Sequence, residues 1–317
     1  MIESDLLRHI YSRSSELSRF GQVVVGPGDD CAVLRTPSGD HLLLTVDQVV
    51  EGRHFEAIAD PSKARVLDGI ARKAIARSIS DIAAMGGTPT ATLATACLPP
   101  GFPQSSADEL FDRMHAWALH WGAPLIGGDI AMGPDLGNSA KPPLLLTTTV
   151  LGVPHAGRGP VLRSTARAGD ELWVTGRLGN SLASGRHLSF EPRVAEARWL
   201  CSRAGAEPTA MIDLSDGLGR DADRIARASQ VRIEIDARLL PLHPDCTDWR
   251  RGVSDGEDYE LLFTASLGSL AEGASINAVP LTRIGRIVAG PVGAVIRTDT
   301  GLLDASGLGW DHADPRP

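Results

Sequence analysis

The sequence predicts an α/β fold of two layered domains, and three observations support this prediction. Apolar runs typical of strands alternate with segments of helical period along the chain, as in layered α/β proteins. The 317 residues suffice for two domains of ordinary size, and 43% of them are hydrophobic. A Gly- and Pro-containing linker at 155–167 separates two such units. We therefore predict an N-terminal domain at 1–154 and a C-terminal domain at 155–317.

The N-terminal unit begins with a short helix predicted within 3–20, where apolar residues follow a helical period. Longer helices are predicted at 61–85, ending at Gly86-Gly87, and at 105–121. Strands are predicted at 23–25, 42–46, 90–98, 124–126 and 144–153. The stretch 133–143, rich in Gly, Pro and Asn, predicts a surface loop.

The C-terminal unit shows the same alternation. Strands are predicted at 171–175, 231–235, 259–264 and 281–288. Helices are predicted from Gly179 onward, at 193–204 and at 218–229. This unit is therefore expected to be a second α/β layer structure.

Composition and charge narrow the class of partner. The formal net charge is -8 and the pI is near 5.6, and no basic run could neutralise the phosphates of a polymer or an anionic membrane. A small-molecule partner is expected instead, with no nucleic acid and no membrane. The N-terminus lacks a signal-peptide layout, and no segment has the apolar length of a membrane span. The four cysteines form no C-x-x-C pair, so neither a zinc site nor a disulfide framework is indicated and a cytoplasmic location is expected.

Six short acidic motifs are the most informative feature of the chain. Carboxylates beside small residues at tight turns bring hard oxygen ligands together and expose backbone N–H groups to an anion, which suits Mg²⁺ and a polyphosphate. The motifs are Gly28-Asp29-Asp30, Thr45-Val46-Asp47, Ser80-Asp81, Gly127-Gly128-Asp129, Asp213-Leu214-Ser215-Asp216-Gly217 and Gly256-Glu257-Asp258.

Each motif alone is more often a turn than a ligand site, but two of them concentrate charge. Asp29-Asp30 places like charges side by side, and Asp213-x-x-Asp216 is expected to put two carboxylates on one face of a helical start. The turn at 214–217 could seat a phosphate at a helix N-terminus, or Ser215 or Asp216 could simply cap that helix. Both readings stay open from the sequence.

The motifs that the sequence lacks also limit how a nucleotide could be bound. The chain has no G-x-x-x-x-G-K-[ST] and no protein-kinase signature set, so phosphates would be held by metal ions, backbone N–H groups and arginine. His54 follows a predicted strand without a metal partner at a recognisable spacing. Trp310 could pack on the core or stack on a flat or cationic ligand.

Taken together, these strings resemble the thiamine-monophosphate kinase family of the aminoimidazole ribonucleotide synthetase-like superfamily. The likeness spans nearly the whole chain in the family's order, and the strings at 50–55 and 256–263 favour this family over its relatives. The matching segments are 28–33, Asp47 with 50–55, 80–86, 127–129, Arg163 with 169–170, 174–176, 211–218, 256–263 and Gly309-Trp310-Asp311-His312.

The resemblance implies two α/β domains, the first with a mixed sheet that pairs across a homodimer. It implies phosphorylation of thiamine monophosphate to thiamine diphosphate by ATP, through direct in-line transfer assisted by several Mg²⁺ ions. The implied metal ligands are Asp30, Asp47, Asp81, Asp129 and Asp213, assisted by Thr45, Val46 and Asp216. Asp30, Asp47, Asp129 and Asp213 are the implied catalytic residues. Gly128, Asp129, Arg163 and Ser215 would contact ATP, and His54, Glu257 and Trp310 would face thiamine phosphate.

Three positions depart from the family pattern. Ser78 stands where Asn is frequent, Val46 where Thr is common, and Ile130 where Thr follows the Gly-Gly-Asp string. Two alternatives remain at this point, and these departures motivate the second of them. One is a related ATP-dependent synthetase acting on an amide or carbonyl substrate, and the other is a catalytically silent nucleotide-binding paralogue.

Overall fold

The computed structural model describes residues 3–135, 142–203, 205 and 207–310, and its N-terminal part is built on a six-stranded mixed sheet. The strands are β1 (Val23–Val25), β2 (Ala32–Arg35), β3 (His41–Val50), β4 (Thr88–Leu98), β5 (Leu125–Met132) and β6 (Leu145–Val153). Their order is β1-β2-β3-β6-β4-β5, and only the β4–β5 pair of these neighbours is parallel.

Helices cover one face of this sheet. They are α2 (Ala64–Ala84) and α3 (Gln104–His120). A further helix, α1 (Glu3–Ser12), precedes the sheet and is followed by a 3-10 turn at Ser14–Arg19. Apolar side chains of α2 and α3, such as Ile75 and Met114, form a buried core with the sheet residues Leu43 and Val150. On the opposite face Val46 is 62% exposed, so that side of the sheet faces solvent there.

The C-terminal part is built on an eight-stranded sheet. Its strands are β7 (Glu171–Thr175), β8 (Ala210–Asp213), β9 (Arg232–Asp236), β10 (Leu261–Ala265), β11 (Ser275–Ile276), β12 (Val279–Val288), β13 (Gly293–Thr298) and β14 (Gly301–Asp304). The order is β14-β13-β9-β12-β7-β10-β8, with β11 paired to β12. The helices are α4 (Ser181–Ser184), α5 (Val194–Cys201), α6 (Leu218–Ser229) and α7 (Trp249–Ser254).

Helix α2 joins the two parts. Ala83 and Ala84, at its C-terminal end, lie in one buried cluster with Trp173, Met211 and Phe263 of the second sheet. The same helix packs its preceding turns on the first sheet. Side chains on α2 are therefore placed between the two sheets, where the acidic motifs of both halves can meet.

The α/β fold class with two layered units, each built on its own sheet, is confirmed. Helix α6 has the predicted bounds. The leading helix ends at Ser12 and continues only as a 3-10 turn. The elements that were not predicted are β2, β8, β11, β13, β14 and α7. The domain boundary at 154/155 falls between the two sheets and stays a prediction. Asp311, His312 and part of the loop predicted at 133–143 lie outside the described residues. None of the helices in the described part of the chain has the length and apolarity needed to span a membrane.

The expectation of tight turns is wrong for three acidic motifs, of which Ser80-Asp81 lies within α2. Asp47 lies within β3, and Gly127-Gly128-Asp129 lies within β5, which extends to Met132 rather than ending at 126. Gly128 serves close packing: a Cβ there would lie 1.8 Å from the carbonyl oxygen of Ala94. The helical start expected at Asp213-x-x-Asp216 is also wrong, because Asp213 ends β8 and α6 begins only at Leu218.

Candidate active site

Three carboxylates converge where the two sheets meet α2. Asp30 follows β1, Asp81 lies in the last turns of α2, and Asp213 ends β8. Each offers one oxygen, and these oxygens lie within 4.8 Å of one another. Asp30 and Asp213 are only 8% and 3% exposed. Residues far apart in sequence thus form one buried acidic cluster, which we call the carboxylate cluster.

Hydroxyl groups orient two of these carboxylates. The Thr45 hydroxyl donates to the carboxylate of Asp81, and the Ser80 hydroxyl donates to Oδ2 of Asp213 at 2.7 Å. Thr45 comes from β3 and Ser80 from α2, so both sheet and helix fix the cluster's geometry.

Arg163 supplies positive charge beside the cluster. Its Nε and Nη2 donate to the two oxygens of Asp30 at 3.0 and 2.7 Å, and its backbone N donates to Asp29 at 3.1 Å. This bidentate geometry makes it a strong pair. The structure places Arg163 next to the predicted metal ligands, and its contact with ATP stays a prediction.

The cluster is electrostatically costly without a cation. Burial, followed by the charges of Asp47, Asp213 and Asp30, raises the pKa of Asp81 well above its ordinary value. Burial and then the charge of Asp30 raise the pKa of Asp213 in the same direction. Hard carboxylate oxygens crowded in this way are the donor set that suits Mg²⁺. The residues present therefore fit the implied metal.

Asp47 borders the cluster and is held by two neighbours on α2. Ser78 donates to its Oδ2 at 3.2 Å, and Arg77 forms an ion pair with its Oδ1 at 3.3 Å. The Ser78 hydroxyl also lies 2.9 Å from that of Thr148. The departure at Ser78 thus retains polar contact with Asp47.

Asp129 lies apart from the cluster within one chain. It is exposed on the edge strand β5 and is in register with Thr95 of β4. The same row of paired residues continues across β6 to Gln48 of β3. Asp47 instead is in register with Thr148, whose hydroxyl bonds to the backbone of α2. Because residues in register share a face, Asp129 and Asp47 point to opposite faces of the sheet. Gly128 lies exposed on the same strand.

A cleft beside the cluster brings together the residues predicted to face substrate. His54, Glu257 and Trp310 all line it. The other lining residues are Arg53, Arg77, Leu182, Ser215, Asp216, Asp255 and Tyr259. The backbone N of Trp310 donates to the carbonyl oxygen of Asp216 at 2.7 Å, which fixes the tryptophan beside the turn at 214–217.

That turn does not act as a side-chain cap. Gly217, with φ of 108°, occupies the N-cap position of α6, and no side chain caps the helix there. Asp216 instead pairs with Arg224, which also bonds to Asp221. Of the two readings of this turn, capping by Ser215 or Asp216 is not what the structure contains.

Glu257 carries a charge that is already balanced. Its Oε2 lies 2.5 Å from Nζ of Lys73 and accepts a hydrogen bond from Tyr259 at 3.1 Å. Burial acts to raise the pKa of Glu257, but the charges of Lys73 and Arg77 outweigh it and lower the pKa to about 2. The carboxylate is therefore ionised at neutral pH.

Sequence reasoning missed Lys73, Arg77 and Tyr259. The signal for the first two was present, because Lys73, Arg77 and Asp81 recur at intervals of four residues and so share one face of α2. That face of α2 borders both regions, since Asp81 belongs to the carboxylate cluster and Arg77 lines the cleft.

A second groove is larger but lacks the chemistry for phosphate. It measures about 390 Å³ and is lined mainly by prolines and other apolar residues. Its acidic residue, Glu51, uses its carboxylate to accept from the backbone N–H groups of Ile58 and Leu144 at 2.7 and 2.8 Å. The cleft beside the carboxylate cluster is therefore the candidate active site.

The two sheets and the acidic cluster define an enzyme of the AIR synthase-related class. Residues 28–153 match the family model for "AIR synthase related protein, N-terminal domain". Over 304 residues the chain is 35% identical to the thiamine-monophosphate kinase of Rhodopirellula baltica, with 90% of each chain covered. It is 32% identical to the Bacillus subtilis thiamine-monophosphate kinase, with 98% of this chain and 99% of the relative covered. The chain belongs to the thiamine-monophosphate kinase family and is a kinase.

Solved structures agree with this assignment. The structure of AaThiL complexed with AMPPCP and TMP matches with a TM-score of 0.78 and 26% identity. The match covers 98% of this chain and 97% of that one.

Proposed function

We propose that this chain transfers the γ-phosphoryl group of ATP to the phosphate of thiamine monophosphate, giving thiamine diphosphate. The observation that carries the proposal is the carboxylate cluster lying beside a cleft lined by His54, Glu257 and Trp310. The relative solved with AMPPCP, an ATP analogue, and TMP supports it.

The chemistry needs no strong general base. A phosphate monoester has its second pKa near about 6, so at neutral pH the acceptor is largely ionised. The main obstacle is repulsion between two anions. Asp30, Asp47, Asp81 and Asp213 would hold Mg²⁺, which when bound supplies charge neutralisation at the phosphates and favours in-line transfer. Arg53 and Arg77 line the cleft and add positive charge near the acceptor phosphate.

The other end of the acceptor would meet Trp310 and Glu257. The thiazolium ring is cationic, so the π face of Trp310 offers it a favourable surface. Glu257 is ionised but paired with Lys73, so it acts mainly as an oriented hydrogen-bond acceptor rather than as a free counter-charge. Ser215 and Asp216, on the same cleft, would lie near the nucleotide.

We further propose that the protein forms a homodimer through β5, the edge strand of the first sheet. Ile126, Ile130 and Met132 of this edge strand are 63%, 61% and 60% exposed. An apolar unpaired edge of this kind favours pairing with another chain. Asp129 lies on the same strand, so its role as a ligand would depend on the partner chain. Sedimentation should give twice the 33.5 kDa chain mass, and a monomer at micromolar concentration would contradict the proposal.

The direct test is incubation with ATP, Mg²⁺ and thiamine monophosphate, followed by chromatography. Formation of thiamine diphosphate is expected. Nucleotide binding without turnover would favour a silent paralogue, and ATP hydrolysis without thiamine diphosphate would favour a synthetase on another acceptor. Either result would overturn the proposed function.

A further inference from the structure

Lys73 carries a buried charge and contacts both halves of the chain. The chain has only three lysines, and the side chain of Lys73 is 0% exposed. A buried ammonium group is costly unless its donors are satisfied. The ammonium group of Lys73 therefore needs hydrogen-bond acceptors within the protein.

The ammonium group meets three acceptors from three segments. Nζ lies 2.7 Å from the carbonyl oxygen of His54, 2.8 Å from Nδ1 of His187 and 2.5 Å from Oε2 of Glu257. His54 follows β3 in the first half of the chain, while His187 and Glu257 belong to the second. An ammonium group has three donors, and each of these partners presents an atom that can accept one of them.

Two of these partners line the substrate cleft. His54 and Glu257 form part of its wall, whereas Lys73 is not among the lining residues. Glu257 and Tyr259 have φ values of 59° and 51°, in the left-handed region that is unfavourable for such residues. A turn of this kind persists only when its surroundings hold it, and Lys73 contacts it from below the cleft surface.

We propose that Lys73 is a positioning residue for the thiamine-phosphate site. It acts through Glu257 and the main chain of His54, holding both in the geometry in which they meet the acceptor. This proposal rests on the proposed function, because Glu257 and His54 must face thiamine phosphate for their positions to matter.

The test compares KM values for the two substrates in Lys73→Met. The KM for thiamine monophosphate should rise about tenfold, since a charged hydrogen bond that orients Glu257 is lost. The KM for ATP should change less than twofold. If Lys73→Met does not fold, Lys73→Gln can replace it, because its amide still donates two hydrogen bonds. Lys73→Gln should also raise the KM for thiamine monophosphate more than the KM for ATP, but by a smaller factor.

A double-mutant cycle shows whether Lys73 acts through Glu257. In a Glu257→Gln background, Lys73→Met should add little to the KM for thiamine monophosphate, because the group it positions is already altered. Additive effects, an unchanged KM, or equal effects on both substrates would each overturn the proposal.

Arg72 offers a matched control on the same helix. It also reaches the second half of the chain, through the carbonyl oxygen of Phe190 and the carboxylate of Glu191. Arg72→Met should lower thermal stability but leave the KM for thiamine monophosphate within about twofold. A rise equal to that of Lys73→Met would make general domain contact the cause and overturn the proposal. Wild-type enzyme that forms no thiamine diphosphate would instead defeat the proposed function, and the Lys73 proposal with it.

Discussion

The carboxylate cluster and the segment 256–259, which we call the Glu257 turn, both bury acidic side chains, yet their charges are balanced in different ways. In the cluster, burial and then the charges of neighbouring carboxylates raise the pKa of both Asp81 and Asp213. At the turn, Lys73 and Arg77 lower the pKa of Glu257 to about 2 against the opposing effect of burial. The difference indicates what each region can bind. The cluster has excess negative charge and suits an added cation, whereas the charge of Glu257 is already balanced, so the turn offers a substrate a polar surface without needing a cation.

Helix α2 creates this difference. It carries Asp81 near its C-terminal end, and Arg77 and Lys73 one and two turns earlier on the same face. The helix therefore delivers a negative group to one region and positive groups to the other. The two regions lie side by side because one rigid element supplies them both.

The largest expected effect comes from neutralising the cluster. Asp213→Asn should reduce kcat/KM by about a thousandfold or more, because it removes a ligand of the Mg²⁺ that would neutralise the transferring phosphoryl group. It should also remove a like charge, so the metal-free protein should become more stable. Kinetics and calorimetry with and without Mg²⁺ measure both effects.

Mg²⁺ itself provides the control for Asp213→Asn. At a hundredfold excess over its Kd the ion should stabilise the wild type by about 2.7 kcal/mol, and the variant by much less. Asp108→Asn, an exposed aspartate on α3, should behave as wild type in both assays. An active Asp213→Asn protein with full Mg²⁺ stabilisation would contradict the assignment of the cluster.

A smaller effect is expected from acid at the Glu257 turn. A lowered pKa in the folded state means that ionised Glu257 stabilises the fold above its ordinary pKa of 4.5, and that this stability is lost as pH falls toward about 2. The full contribution is on the order of 3 kcal/mol.

The free energy of unfolding of wild type and Glu257→Gln should therefore be compared from pH 6 to pH 3. The advantage of the wild type should stay level from pH 6 to about pH 5 and then shrink as the pH falls further. An advantage that stays constant with pH would show that Lys73 and Arg77 do not stabilise the ionised carboxylate.

Sequence patterns predicted the fold and part of this contrast. The period of α6 gave its bounds, because amphipathic helices carry their signal locally. The extent of β5 was not predicted, because Gly127-Gly128 is typical of a turn. The reason for glycine within this strand is the close packing of Gly128 against Ala94, which the sequence does not reveal. Asp30, Asp81 and Asp213 could be identified by motif, but the face on which Asp129 lies depends on strand register, which one sequence does not specify.

The smallest expected effect comes from Trp310, and it distinguishes the role of the cleft from that of the carboxylate cluster. Trp310 lies beside the turn at 214–217, so its ring can meet the acceptor without touching the carboxylate cluster. Trp310→Ala should raise the KM for thiamine monophosphate about tenfold through loss of a cation–π contact, while the KM for ATP changes little. Trp310→Phe keeps a π face and should recover much of the affinity. Equal changes for both substrates would assign Trp310 to general packing, and the cleft would then bind the acceptor chiefly through its polar groups.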